Sequence, residues 1–156
     1  MYVDIQNACT ESLPFSEHDI QSWAESCLKK MHSGSELSLR CVDVDEMHAL
    51  NFRYRHQDKP TNVLAFPANL PDICKGDIAL LGDVIICPDI LKKEAMDEGK
   101  LLQNHWIHII SHGILHLLGY DHITETDAEI MQGLEIRILA GYGIENPYDR
   151  QGESID

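Results

Sequence analysis

Positive charge is what this sequence has least of. Twelve lysines and arginines stand against 26 aspartates and glutamates, for a formal net charge of -14 and a pI near 4.9. A chain so balanced does not coat nucleic acid non-specifically, because neutralising phosphates needs a basic face. Long apolar runs are missing as well. No segment approaches the length needed to cross a bilayer, and the N-terminus lacks the basic stretch followed by an apolar one that marks a secretory leader. Both absences predict a cytoplasmic protein without a membrane partner. Paired cysteines are also lacking. The five at 9, 27, 41, 74 and 87 are odd in number and scattered, which excludes a zinc ribbon, a short-spaced redox pair and a disulfide framework. They read as reduced, mostly buried thiols. Internal repeats, linkers and low-complexity tracts are absent, so the 156 residues form one domain, long enough to bury a core without disulfide support. The polar stretch 145–156 is expected to be a flexible tail.

What is present alternates between two periods. Residues 2–6, 36–44, 61–66 and 77–87 read as strands, the last either one strand bulged at Gly82 or two pieces of a hairpin. Helices are expected from a Ser16 cap to about Met31, from an Asp45 cap to about Tyr54, and over 88–99 and 100–118. A last helix runs from a Thr124 cap to about Ala140. The helix over 100–118 carries the most apolar residues and should be the most buried. Four strands and five helices in this order predict an α/β, α+β-like single domain.

The run His112-Gly-Ile-Leu-His116-Leu-Leu-Gly119-Tyr-Asp121-His122 carries the chemistry. Histidines four positions apart on a helix share one face, so His112 and His116 can converge on one ion. Gly119 tolerates the left-handed conformation that ends helices and can turn the chain to bring His122 to the same point. Three imidazoles leave a fourth corner for water, the arrangement of catalytic zinc. Imidazole also suits nickel, cobalt and iron, whereas calcium and magnesium prefer oxygen. The spacing matches the zinc motif of the metzincin proteases, but their general base, a glutamate after the first histidine, is replaced here by Gly113. Losing a general base costs about 100- to 10,000-fold, which disfavours proteolysis. His105 and His108 fall on roughly the same stripe as His112 and read as core or supporting residues. Asp121 either orients a ligand imidazole, accepts a proton or fixes the turn. Arg53, Arg55 and Lys59, beside His56 and opposed only by Asp58, form the most basic island, either a solvated helix end or a substrate contact.

The segment Tyr54-Arg55-His-Gln-Asp58-Lys59-Pro60-Thr61-Asn62-Val63-Leu64-Ala65-Phe66-Pro67, taken with HGILHLLGYDH, resembles the YbeY family of bacterial metal-dependent endoribonucleases. The resemblance runs from about Val3 to about Ala140. It implies a roughly four-stranded, mostly parallel or mixed sheet flanked by helices, zinc held by His112, His116 and His122, and an arginine needed for activity at Arg55. It further implies a role in 3′ end maturation of small-subunit rRNA and in ribosome quality control, with the small subunit, ribosomal proteins and a ribosome-associated GTPase as partners, and no DNA. The chain departs from the family pattern at Ala65, where serine is usual, and in 82–87, where a serine commonly ends the run; neither touches a metal ligand. In this light Arg55 is the phosphate fork and the catalytic residue, Arg53 and Lys59 contact RNA, and 58–62 form a rim of the cleft. The alternatives are a peptidase or amidase using Asp121 as base, and a non-catalytic ribosome assembly factor with structural zinc.

Overall fold

The computed structural model describes residues 2–29, 35–68, 79–120 and 123–148. Four strands, β1 (Tyr2–Asn7), β2 (Ser35–Cys41), β3 (Val63–Pro67) and β4 (Ala79–Ile86), form one sheet in the order β1-β2-β4-β3. Five helices accompany them: α1 (Glu17–Lys29), α2 (Val44–Arg55), α3 (Pro88–Glu98), α4 (Leu102–Leu117) and α5 (Glu125–Ala140). β1, β2 and β4 run parallel, and β3 pairs antiparallel with β4 at the edge. The sheet is therefore mixed, as expected.

Period-two alternation decides which side each residue serves. Leu37, Leu39 and Cys41 of β2, with Val84 and Ile86 of β4, join the larger core against α1 and α4. Ile85 and Cys87, one residue out of phase, join Leu64, Val42 and Met47 in a smaller cluster under α2. Past the exposed Asp83, β4 is apolar on both faces over residues 84–86 because a cluster lies on each side. The run interrupted at Gly82 is one strand, not a hairpin. The register slips between Glu36 and Leu37, opposite Leu80 and Gly82. Gly82 adopts φ 134° there, and a Cβ on it would lie 2.2 Å from the Phe66 carbonyl oxygen. Only glycine fits that bulge.

Two caps act as the sequence suggests. The Ser16 hydroxyl accepts from the Asp19 N–H at 3.0 Å, and the Thr124 hydroxyl from the Asp127 N–H at 3.1 Å. The first helix was expected to end near Met31, which lies outside the described residues. α2 corrects the Asp45 cap: it starts at Val44 with Asp43 at the N-cap position, and the Asp43 carboxylate accepts from the Thr10 N–H at 3.1 Å instead of capping. Asp45 falls in the first turn, where its charge suits the dipole.

α4 is the central helix. It packs on β3 and β4 and against α1, α3 and α5, with Trp106, Ile110, Ile114 and Leu115 fully buried. Truncating such an isoleucine or leucine to alanine costs about 2 to 5 kcal/mol, so the position of α4 is tightly held. Cys27, Cys41 and Cys87 are buried and Cys9 half-buried, all as free thiols; Cys74 lies outside the described residues. Among the described residues no helix is long and apolar enough to cross a membrane.

Candidate active-site cleft

The exposed margin of β3, the C-terminal half of α4 and the end of α2 enclose a cleft of about 200 Å³, lined by Arg55, Thr61, Asn62, Val63, Leu64, Ala65, His112, Gly113 and His116. Each wall has a local cause. On α4 the two histidines share one face, their ring centroids 4.7 Å apart and steeply inclined at 78°. The helix ends at Leu117, and Gly119 takes φ 101°, the left-handed exit expected of it. Asp121 and His122 lie outside the described residues. Among the described residues, no three His, Cys, Asp or Glu side chains gather closely enough to hold a metal.

Gly113 explains why the protease base is missing. A Cβ there would come within 2.8 Å of Val84 Cγ1 and 3.2 Å of Val63 Cγ2. α4 approaches the sheet so closely that position 113 has no space for a side chain, least of all a glutamate. The same closeness brings His112 and His116 down onto the β3 margin.

Arg55 reaches the cleft because of how α2 ends. His56 turns left-handed at φ 59°, its N–H bonded to the Phe52 carbonyl, and breaks the helix immediately after Arg55. Buried Asn51 then donates to the Lys59 carbonyl at 2.7 Å, and His48 contacts the Asp58 carboxylate at 2.8 Å. These bonds hold the connection to β3. The basic island thus separates: all three cations are exposed, but Arg55 lines the cleft and Arg53 and Lys59 do not. The Arg53 guanidinium sits 5.4 Å from the Tyr54 ring centroid, and Tyr54 meets Phe66 edge-on at 5.2 Å. Of the expected rim, Thr61 and Asn62 line the cleft.

Two carboxylates support it from behind. Glu94 of α3 accepts from the Asn62 amide at 3.2 and 3.3 Å and from His105 Nε2 at 2.8 Å. Glu135 of α5, 1% exposed, accepts from His108 Nε2 at 2.9 Å, the Tyr148 hydroxyl at 2.9 Å and His112 Nδ1 at 3.2 Å. Burial alone would raise the Glu135 pKa; hydrogen bonds from His108 and His112 and their charges outweigh it and bring it down to about 2. Burial and the Glu135 charge push the Tyr148 hydroxyl up, so it stays a donor. Tyr148, in the polar stretch expected to be a tail, is held against Glu135 and His108. His105 and His108 thus contact Glu94 and Glu135, and neither lines the cleft.

Sequence matching assigns residues 4–143 to the family described as Endoribonuclease YbeY. The chain belongs to the YbeY endoribonuclease family. Among its relatives, the Endoribonuclease YbeY proteins of Legionella pneumophila strains Corby and Lens are each 47% identical over 155 residues, covering 99% of this chain and 98% of theirs. A solution structure of the Thermotoga maritima protein TM1509 superposes with a TM-score of 0.56 at 25% identity, covering 96% of this chain and 97% of that one. These matches agree with the four-stranded mixed sheet and five helices.

Neither Glu94 nor Glu135 was singled out from the sequence. Glu135 had left a signal: Met131 and Leu139, four residues either side, are fully buried, so an acidic residue interrupts an apolar stripe. A charge at such a position must be paired.

Proposed function

We propose that this chain is a zinc-dependent, single-strand-directed endoribonuclease that matures the 3′ end of small-subunit rRNA and contributes to ribosome quality control. The observation that carries the reading is that Arg55, from one helix, and His112 and His116, from another, line the same cleft. The donor set fits the metal: two imidazoles at 4.7 Å between ring centroids, one backed by a carboxylate, suit zinc or a neighbouring transition ion. His112, His116 and His122 would hold it. Zinc so bound supplies Lewis acidity toward a phosphoryl oxygen and acidifies a water.

The chain's own residues do the remaining work. Arg55 offers a planar fork that holds a phosphate through two N–H donors and offsets charge developing on it. Asn62, anchored by Glu94, forms the wall beside it. At about 200 Å³ the cleft is smaller than the roughly 300 to 1,000 Å³ of drug-sized pockets. A space of that size suits one phosphate with its sugar. Arg53 and Lys59 contact RNA outside the cleft, and Asp121 orients a ligand imidazole. The acidic surface, at -14 overall, favours basic ribosomal proteins as the agents that present the RNA in the cytoplasm. Crowding at position 113 disfavours a metzincin-type base there; a peptidase or amidase with Asp121 as base would instead show His116-dependent cleavage of a peptide library.

The test is cleavage of a single-stranded pre-rRNA fragment by purified protein with zinc and after chelation. The wild type should cut only with metal, and His116→Ala not at all. Equal cleavage by both proteins would mean a contaminating nuclease and sink the proposal. Normal rRNA ends in cells carrying Arg55→Ala would instead favour the non-catalytic assembly factor.

A further inference from the structure

Behind the cleft lies a charged side chain that the reaction does not touch. Three donors converge on one oxygen of Glu135: His108 and Tyr148 at 2.9 Å each and His112 at 3.2 Å. Of these three only His112 lines the cleft. If packing were the sole demand, an apolar residue would serve at 135, as Met131 and Leu139 do one turn away on either side. An ionised carboxylate has no proton to give, so each ring nitrogen facing it must carry the hydrogen. His112 is thereby held as the Nδ1–H tautomer, and its ligand lone pair falls on Nε2.

We propose that Glu135 is the positioning residue of this cleft, holding the His112 ring and its Nδ1–H tautomer so that Nε2 is the nitrogen offered to a metal. Tyr148 and His108 are its supports. They saturate the same oxygen and fix where the carboxylate stands, so the C-terminal segment at Tyr148 becomes part of the site although it lies far from the histidine motif in sequence. The proposal rests on the reading of His112 as a metal ligand.

Two measurements on the full chain test it. Long-range proton–nitrogen correlation spectra of the metal-free protein should show His112 as Nδ1–H, and Glu135→Met, which removes the acceptor, should let the Nε2–H form appear. Zinc affinity by chelator competition should fall about 100-fold in Glu135→Met and about 10-fold in Glu135→Gln, which keeps an acceptor oxygen without the charge, the span typical when a partner behind a ligand is lost. Tyr148→Phe should weaken zinc binding by a smaller factor while leaving His112 as Nδ1–H. Melting of the metal-free variants separates these effects from misfolding; should Glu135→Met not fold, the Gln and Phe variants decide. Finding His112 as Nε2–H in the wild type, or unchanged zinc affinity in folded Glu135 variants, would overturn the proposal. A wild type that binds no zinc refutes the metal reading itself, and the tautomer spectrum then judges Glu135 alone.

Discussion

Replacing Gly113 with alanine should destabilise the protein, against the ordinary expectation for a helix interior. Intrinsic propensity favours alanine over glycine by about 1 kcal/mol. Opposing it, the new methyl would sit 2.8 Å from Val84 Cγ1 and 3.2 Å from Val63 Cγ2, where carbon atoms prefer about 3.5 to 4.0 Å. Val84 cannot give easily. It is fully buried on β4, between β2 and β3, and a β-branched side chain has few rotamers to retreat into. Overpacking of this kind costs about 1 to 3 kcal/mol, and a stiff neighbour puts the cost in the upper part of that range. The net loss is then about 1 to 2 kcal/mol, or about 2 to 8 °C in Tm for a domain of this size. Urea and thermal unfolding of the metal-free protein read it directly. A cycle with Val84→Ala sharpens the test, because the double variant should recover most of the strain, with a coupling of about 1 kcal/mol or more. Gly113→Ala that stabilises by the full propensity term would refute the close-approach argument, and with it the reason given for the missing glutamate.

Three further outcomes follow from the same geometry. Arg55→Ala should lower RNA cleavage by about 100- to 1,000-fold, and Arg55→Lys should recover little, since an ammonium cannot form the bidentate fork; kinetics on a single-stranded substrate check both. Glu135, depressed from 4.5 to about 2, contributes stability that is fully present above its unfolded value. That contribution, on the order of 3 kcal/mol, is lost as pH falls from about 4.5 toward 2, so Glu135→Gln should flatten the acid limb of a stability–pH curve measured on the metal-free protein. Burial pushes the Cys27 thiol up to about 11 and Cys41 to about 12, and burial with the nearby Asp43 pushes Cys9 to about 12. In a Cys74→Ser background, native protein at pH 7.5 should therefore react slowly with a thiol reagent and rapidly once unfolded, as absorbance of the released thiolate reports.

Much of the fold was legible because its signals are local. Ser16 and Thr124 cap the helices they precede, and each strand was read from alternation or a continuous apolar run. Asp43, not Asp45, stands at the N-cap position of α2, and its carboxylate is taken by the N–H of Thr10, distant in sequence. The choice between one bulged strand and a hairpin at Gly82 depended on β2, whose register absorbs the extra residue. Within the site, His112 and His116 were readable because helical spacing alone makes them neighbours. The basic island was readable only as a group, since charge counts along the chain cannot say that Arg55 borders the cleft while Arg53 lies against Tyr54.

The sequence by itself determined the element order, the histidine pair on α4, the left-handed exit at Gly119 and, through its motifs, the family. Those properties follow from covalent spacing and backbone preference, which act within a few residues. Only the tertiary structure decided that α2 delivers Arg55 to the histidines, that Gly113 is required by the approach of α4 to Val84, and that Glu135 and Tyr148 stand behind His112. Contacts of that kind join residues well beyond the reach of local spacing, 13 apart for Glu135 and Tyr148 and 23 for Glu135 and His112. They arise because a close-packed interior puts apolar helix faces against one sheet and leaves a buried carboxylate stable only where donors from other segments meet it.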